Sequence, residues 1–349
     1  MKETILVTAI GSFSAVTVME SLKKQGYRVV GCDIYPAEWI ANSKLTDVFY
    51  QAPYATDRPA YEAFIRTVCR KEAAQFVMPL TDVEIDLFRG WETAEEETGA
   101  ILCMSDREVL DICRNKKKQE QVLEPLGICK TIPGMLLSEL TEIFLQMDGD
   151  SRALVNGLDV NGEMWKYPLV IKPVDGRSSQ GLRIVHTPKE MEAALEACRE
   201  HLEQYLVQPK ISGSIITVDI VRNMETGSCV CISRKELLRT LNGAGTSVQV
   251  FENQYLEQQC QAIAKALNVH GCVNFEFVEE QTPEEKHGVG VWRFLECNPR
   301  FSGGLAFSVL AGYDVVKNHL NCFKGMELEP KGEIREQYIA RRYEEFVMN

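Results

Sequence analysis

Glu296, Asn298 and Arg300 stand at alternate positions of "FLECNPRFSGG", residues 294–304. On an extended chain an acid, an amide and a guanidinium would therefore point to one side. A solvated outer face of an antiparallel sheet would read the same way. The segment "VNFEFV", residues 273–278, favours a different reading. It reads as the partner strand of a hairpin whose loop is the acidic segment Glu279–Gly290, and it carries Asn274 and Glu276 in the same alternation. Two carboxylates brought side by side repel unless a cation lies between them. Glu276, Glu296 and Asn298 together offer hard oxygen donors suited to Mg2+ (or Mn2+) held jointly with phosphate oxygens. Arg300 would then face a transferred phosphoryl group.

Two further stretches suit anion binding. In "YPLVIKPVDGRSSQGLRIV", residues 167–185, an apolar strand ends in Lys172, Asp175–Gly181 is a turn of small polar residues, and "LRIV" returns as a strand. A lysine facing such a hairpin is a phosphate clamp, in which backbone N–H groups and hydroxyls wrap an anion. The Walker pattern is absent. "NKKKQEQVLEPLGICKTIPGM", from Asn115, opens a helix with three lysines, against the helix macrodipole. An anion nearby would make sense of the run, as would simple solvation. "YLVQPKISGSIITVDIV", from Tyr205, reads as two strands; Gln208–Gly213 between them is either an adenine hinge or an ordinary connection. "ISRKELLRTLNGAGTSVQV", from Ile232, places Arg234 and Arg239 before a Gly-rich turn, as partners for a substrate carboxylate or as surface arginines.

The elements that position these residues begin with "TILVTAIGSFSAVTVMESLKKQGYRVVGCDIYP", from Thr4, which reads strand, turn, helix, strand, with Asp33 ending the second strand. A dinucleotide fingerprint needs G-x-G-x-x-G before such an acid. Here Gly11, Phe13 and Val16 occupy the glycine positions. The two side chains would crowd a pyrophosphate, so the unit reads as a structural or substrate-side domain. Further strands and helices alternate through "YEAFIRTVCRKEAAQFVMPLTDVEIDLF" and "GAILCMSDREVLDICRNK", as in a doubly wound sheet. Polar residues at the strand ends are Ser12, Ser14, Asp33, Thr81, Asp82 and Glu84, as ligand contacts or as caps and turns.

A chain of 349 residues is long for one core. Its 38 basic against 50 acidic side chains, net −12, weigh against nucleic acid. No apolar run reaches the roughly 18 residues of a membrane helix. The start of the chain reads as a strand entering a turn rather than as a signal peptide. Twelve scattered cysteines without C-x-x-C point to reduced, mostly buried thiols and a cytoplasmic setting.

These motifs resemble the ATP-grasp superfamily of carboxylate–amine ligases, most closely the ATP-binding halves of the carbamoyl phosphate synthase large subunit, over about residues 1–325. "VNFEF" followed by "LECNPRFSGG" matches the family's E/Q…E-x-N-P-R pattern, and Lys116, Lys172 and "DGRSSQG" stand in the family's order. The resemblance implies an α/β and α+β architecture. A Rossmann-like preATP-grasp domain (1–113) would precede an ATP-grasp fold of two α+β subdomains that grip ATP between them. The first (114–206) would carry the phosphate-loop lid, the second (207–325) the metal site, and 326–349 would be an extension.

It further implies that Lys116 and Lys172 contact phosphates and that Gly176, Ser178, Ser179 and Gly181 belong to the loop over the triphosphate. Gln208, Lys210 and Ile211 would line the adenine, and Lys172 and Arg300 would be catalytic. Ile215 stands where the family's ribose-binding acid is expected, so that ribose would be read loosely or, in the less favoured alternative, by Asp219 as a substitute, and Asp148–Lys166 looks inserted. The implied reaction makes an acylphosphate from a carboxylate and ATP, which an amine then intercepts. The implied partners are small carboxylates and amines, with a homodimer as an option. Phosphorylation of carbamate or bicarbonate, or non-catalytic ATP binding, are the alternatives. The first is weakened by a single ATP-grasp unit and the lack of a glutaminase signature.

With Phe13 and Val16 in place of glycines, the chain is expected to show no saturable NAD(H) binding by calorimetry or fluorescence transfer; a micromolar isotherm would overturn that reading of the turn.

Overall fold

The computed structural model describes residues 2–146, 157–160, 163–177, 180–241, 243–280 and 291–348. The chain divides into two compact units: residues 1–111, 216–276 and 297–349, and residues 112–215 and 277–296. Among the described residues no helix is long and apolar enough to cross a membrane.

In the first unit the expected parallel sheet is present. Its order is Val48–Gln51, Arg28–Asp33, Thr4–Val7, Phe76–Met78, Ile101–Leu102, every pair parallel. Ile5, Leu6 and Val7 are wholly buried, as befits a central strand covered on both faces, and each such burial stabilises the fold by about 1.5–3 kcal/mol. The helix Ala15–Lys24 follows the first turn and stops at Gly26, whose φ of +90° suits a residue without a Cβ. The strand order reverses beside the first strand, which puts the turn at Gly11 and the start of the helix Asp82–Arg89 at a switch point.

The same unit holds an antiparallel run of strands, Gln337–Ala340, Gly245–Phe251, Cys229–Arg239 and, from Ile216 on, Gly213–Arg222. A bulge between Glu236 and Arg239 shifts the register, so that Arg239 lies opposite Gly245; such bulges re-aim side chains. Next in order come Gly271–Glu280 and Val291–Asn298, the expected hairpin strands. The helix Val315–Phe323 is capped by Asp314, which also accepts hydrogen bonds from Ser21 at 2.8 and 2.9 Å, tying it to the first helix.

The second unit is built on an antiparallel sheet ordered Arg183–Val185, Leu169–Pro173, Tyr205–Pro209, Met135–Leu136. Helices Lys116–Leu123, Leu137–Gln146 and Pro188–Ala197 belong to it. Part of the segment expected to be an insertion contributes to its core. Leu158–Val160 and Glu163–Trp165 pair antiparallel, and Leu158, Val160 and Trp165 pack with Leu169, Ile171 and Met191. Alternation in "LDV" puts Leu158 and Val160 on one face, and Trp165 lies opposite Leu158, so a short hairpin can bury that face.

His319 lies wholly inside the first unit, its ring 4.7 Å from that of Phe301 and 5.0 Å from that of Phe323, with Nδ1 accepting from the Cys272 amide at 2.7 Å. Burial pulls its pKa down to about 3. The unfolded imidazole titrates near 6.5, so as pH falls below that value the unfolded state binds the proton first and stability is lost, most of it by pH 3. Between pH 7 and 5 wild type should lose about 2 kcal/mol more than His319→Asn, which keeps an acceptor but does not titrate; urea unfolding at both pH values is the check, and parallel losses would refute the assignment.

Candidate functional site

In the second unit the lysine run acquires its anions. Asn115 caps the helix by accepting from the Lys118 amide at 3.0 Å. Lys116 Nζ donates to the Gly176 carbonyl at 2.8 Å and lies 3.1 Å from Glu296 Oε2. Lys117 pairs with Glu120, whose other oxygen accepts from the Gly134 amide. Two of the three cations that oppose the macrodipole are thus held by carboxylates. One of them, Glu296, was singled out as a metal ligand.

Lys172 is buried near the end of its strand. The loop after it folds back on the neighbouring Pro173. A Cβ at Gly176 would come within 3.2 Å of that ring and one at Gly181, where φ is +73°, within 2.9 Å. Ser178 and Ser179 lie outside the described residues. In the expected adenine hinge, the Gln208 side chain turns inward and donates to the Ile132 carbonyl at 2.8 Å, the Lys210 amide donates to the Pro168 carbonyl at 3.2 Å, and Ile211 is half-buried. The Gln208 side chain is therefore spent on the fold. A Cβ at Gly213 would sit 1.9 Å from the Glu279 carbonyl oxygen, so only glycine fits there.

In the first unit Glu276 receives Arg239, whose Nη2 is 3.1 Å from both carboxylate oxygens while Nε donates to the Gly243 carbonyl at 2.7 Å. Asn298 donates to Asn274 Oδ1 at 3.4 Å, and Asn274 donates to the Arg300 carbonyl at 3.1 Å. With its Nδ2 directed to Asn274, the other pole of the Asn298 amide is an oxygen, the end a cation binds. Arg300, expected at a phosphoryl group, donates to Asp82 Oδ2 at 2.9 Å. That acid opens the helix Asp82–Arg89, whose cap is closed by Glu84 accepting from the Thr81 amide and hydroxyl. Glu84 also accepts from Tyr61, and burial raises its pKa. Asp33 accepts from the Gly11 amide at 2.8 Å. Of the polar strand ends, then, Asp33, Thr81 and Glu84 serve the turns and caps, and Asp82 holds Arg300.

Two expectations fail here. Arg234 is not at the surface. It is 2% exposed, with Nη1 on Asp219 Oδ2 at 2.7 Å, Nε on Glu236 at 3.2 Å and Nη2 on Ser302 at 2.9 Å. Although burial opposes its charge, Asp219 and Glu236 raise its pKa and keep it a cation. Asp219, the substitute ribose reader, is wholly buried and also accepts from Ser308 at 2.6 Å. A charge inside an apolar strand needs a partner of opposite sign, and "ITVDIV" against "VCISRKE" carried that signal.

Among the described residues no group of three His, Cys, Asp or Glu side chains is gathered as a metal cluster. Taken unit by unit, Glu276 and Asn298 of the first and Glu296 of the second each carry a hard oxygen of the kind a divalent cation takes, and both acids attract cationic groups.

Residues 201–346 match a family model described as ATP-grasp in the biosynthetic pathway with Ter operon. Among solved structures, the chain is similar to the biotin carboxylase domain of Hydrogenobacter thermophilus 2-oxoglutarate carboxylase in complex with MgADP, ADP and bicarbonate. The identity is 18%, over 97% of this chain and 73% of that one, with a TM-score of 0.72. The Campylobacter jejuni biotin carboxylase–β-γ-ATP complex gives 16% identity, 97% and 74% coverage and a TM-score of 0.74. Staphylococcus aureus N5-carboxyaminoimidazole synthetase gives 14%, 94% and 79%, and 0.69. The fold is that of ATP-grasp proteins, α/β and α+β, as the motifs implied.

Burial separates the arginines. Arg234→Met should destabilise by about 3–5 kcal/mol, since it strands buried Asp219. Arg239→Met, from a pair 27% and 17% exposed, should cost less than about 1 kcal/mol. Urea midpoints that shift equally would sink the distinction.

Proposed function

We propose that this ATP-grasp protein is an ATP-dependent, ADP-forming ligase that activates a small carboxylate as an acylphosphate and joins it to an amine. The observation that carries the reading is Lys116, which bridges the Gly176 carbonyl of the small-residue loop and Glu296 of the E-x-N-P-R strand. One ammonium thus links a phosphate-clamp loop to an acid suited to a metal.

In the proposed site Lys116 and Lys172 hold phosphate oxygens, and the loop through Gly176, Ser178, Ser179 and Gly181 covers them. The chain around Gln208, Lys210 and Ile211 lines the base. Glu276, Glu296 and Asn298 would hold Mg2+ (or Mn2+), which when bound supplies neutralisation of phosphate charge. Arg300 stabilises the negative charge on the transferred group, exchanging Asp82 for it. The substrate carboxylate oxygen attacks the γ-phosphorus while the bond to the β-γ bridging oxygen breaks, leaving ADP. An amine then adds to the acyl carbon and inorganic phosphate departs. Most of the rate enhancement would come from positioning and charge.

The matched family model's description names a biosynthetic pathway, which accords with small-molecule synthesis. A second reading is phosphorylation of bicarbonate or carbamate, since bicarbonate is bound in one similar structure. ADP formation that needs bicarbonate and no organic acid would select it.

Glu296→Gln should reduce carboxylate-dependent ADP formation and hydroxamate yield in hydroxylamine by at least about 100-fold, with an unchanged far-UV spectrum. It removes a charge at nearly constant volume. Mg2+-dependent turnover at the wild-type rate in that variant would overturn the site.

A further inference from the structure

Four arginines of the first unit stand near the candidate chemistry, and three of them are held by acids: Arg234 by Asp219 and Glu236, Arg239 by Glu276, Arg300 by Asp82. Arg341 is different. It follows the edge strand Gln337–Ala340, in the segment read from sequence as a mere extension. Its backbone amide donates to the Thr246 carbonyl and Nη2 to the Gly303 carbonyl. Its guanidinium carbon lies 4.9 Å from the Phe13 ring centre and 5.6 Å from that of Phe307. Nη1 is shielded from water and has no hydrogen-bond partner among the described residues.

Leaving a charged donor unpaired is costly, and a buried group of this kind calls for an explanation. Burial, and to a lesser extent the neighbouring Arg234, lower its pKa against the opposing pull of Tyr343 and Glu236. Phe13, which covers the guanidinium, is 45% exposed. Its backbone belongs to the first turn, and a Cβ on Gly303 would lie 3.7 Å from the Phe13 Cβ and 3.3 Å from that of Ala244. Two loops thus meet at one guanidinium, the first turn through Phe13 and the segment after Arg300 through the Gly303 carbonyl.

We propose that Arg341 is the receptor for the carboxylate of the acid substrate, with Phe13 as the ring that stacks on the guanidinium and orients it. The inference deepens the ligase reading above and rests on it for the identity of the anion as substrate. It also gives Phe13 a use: the side chain that crowds out a dinucleotide orients an arginine.

The test is arginine side-chain NMR on the full chain. The Nε–Hε resonance of Arg341 is identified by its loss in Arg341→Lys, or by its displacement in Phe13→Leu should the lysine variant not fold. Sodium succinate, L-glutamate and benzoate are the probes, with sodium chloride at matched ionic strength as control, and Mg-ADP affinity is measured by calorimetry on the same samples. The expected result is a saturable shift with at least one carboxylate and none with chloride. Where turnover is found, Arg341→Lys should raise the KM for the acid about 10- to 100-fold, with Mg-ADP affinity within twofold of wild type. A resonance unmoved by all three carboxylates, with Mg-ADP bound normally, overturns Arg341 and leaves the ligase reading intact. Absent Mg-ADP binding with a saturable carboxylate shift overturns the ligase reading and leaves the anion site.

Discussion

A cation removed from water must be given its anions within hydrogen-bond reach, and in the larger unit that constraint centres on Arg234. Its guanidinium, 2% exposed, gathers Asp219 from one strand, Glu236 from its own, and Ser302 from the turn that follows Arg300. Ser308, on the helix Leu305–Ala311, completes Asp219. Gly304 is fixed by the same group, since a Cβ there would lie 2.9 Å from Nη2. The glycine that ends "RFSGG" is therefore a packing requirement. It lets the turn after Asn298 and Arg300 close over a buried charge, and so sets where those two side chains begin.

Much of this was legible in the chain. The period of two in "VNFEFV" and "FLECNPR" marked two strands, and the structure makes them neighbours. The caps Thr81 and Asn115, the stop at Gly26 and the parallel sheet follow from local chemistry that tertiary packing leaves alone. Ion-pair partners were not legible. Asp82 and Arg300 are 218 residues apart, and no local pattern announces such a pairing. Arg234 was misjudged for a related reason. Residues Val230–Arg234 of its strand are all buried, on both faces, and that cover comes from segments distant in sequence such as Asp219 and Ser302. The orphaned nitrogen of Arg341 is legible only in three dimensions, because it is defined by what does not reach it.

The first turn shows how a departure from a motif can be informative. The acid at the end of the second strand is kept, but Asp33 accepts from the Gly11 amide, and a Cβ on Gly11 would lie 3.1 Å from that carboxylate. The acid and the glycine thus close the turn on themselves. With that bond made, the second fingerprint position is freed from the demand for glycine, and Phe13 occupies it facing Arg341.

The ion pairs also sort themselves by how readily they could exchange partners. Arg234 and Asp219 are 2% and 0% exposed, and separating them would strand a charge at a cost of several kcal/mol. Lys116 and Glu296 are 11% and 22% exposed, Arg300 and Asp82 19% and 7%, Arg239 and Glu276 27% and 17%. Each of these pairs keeps access to water, so the net worth of the contact is smaller and a change of partner is cheaper. The chain carries a net charge of −12, which would repel a polyphosphate at long range. Within its own unit each accessible pair presents a lysine or an arginine without adding net charge. A phosphate that takes the cation from such a pair releases a carboxylate, and a released carboxylate is a ligand for a divalent ion. Binding of anion and metal would then be favourable together and less so singly. That coupling follows from the pairing of opposite charges at intermediate exposure, and a site built from isolated lysines and isolated acids would lack it.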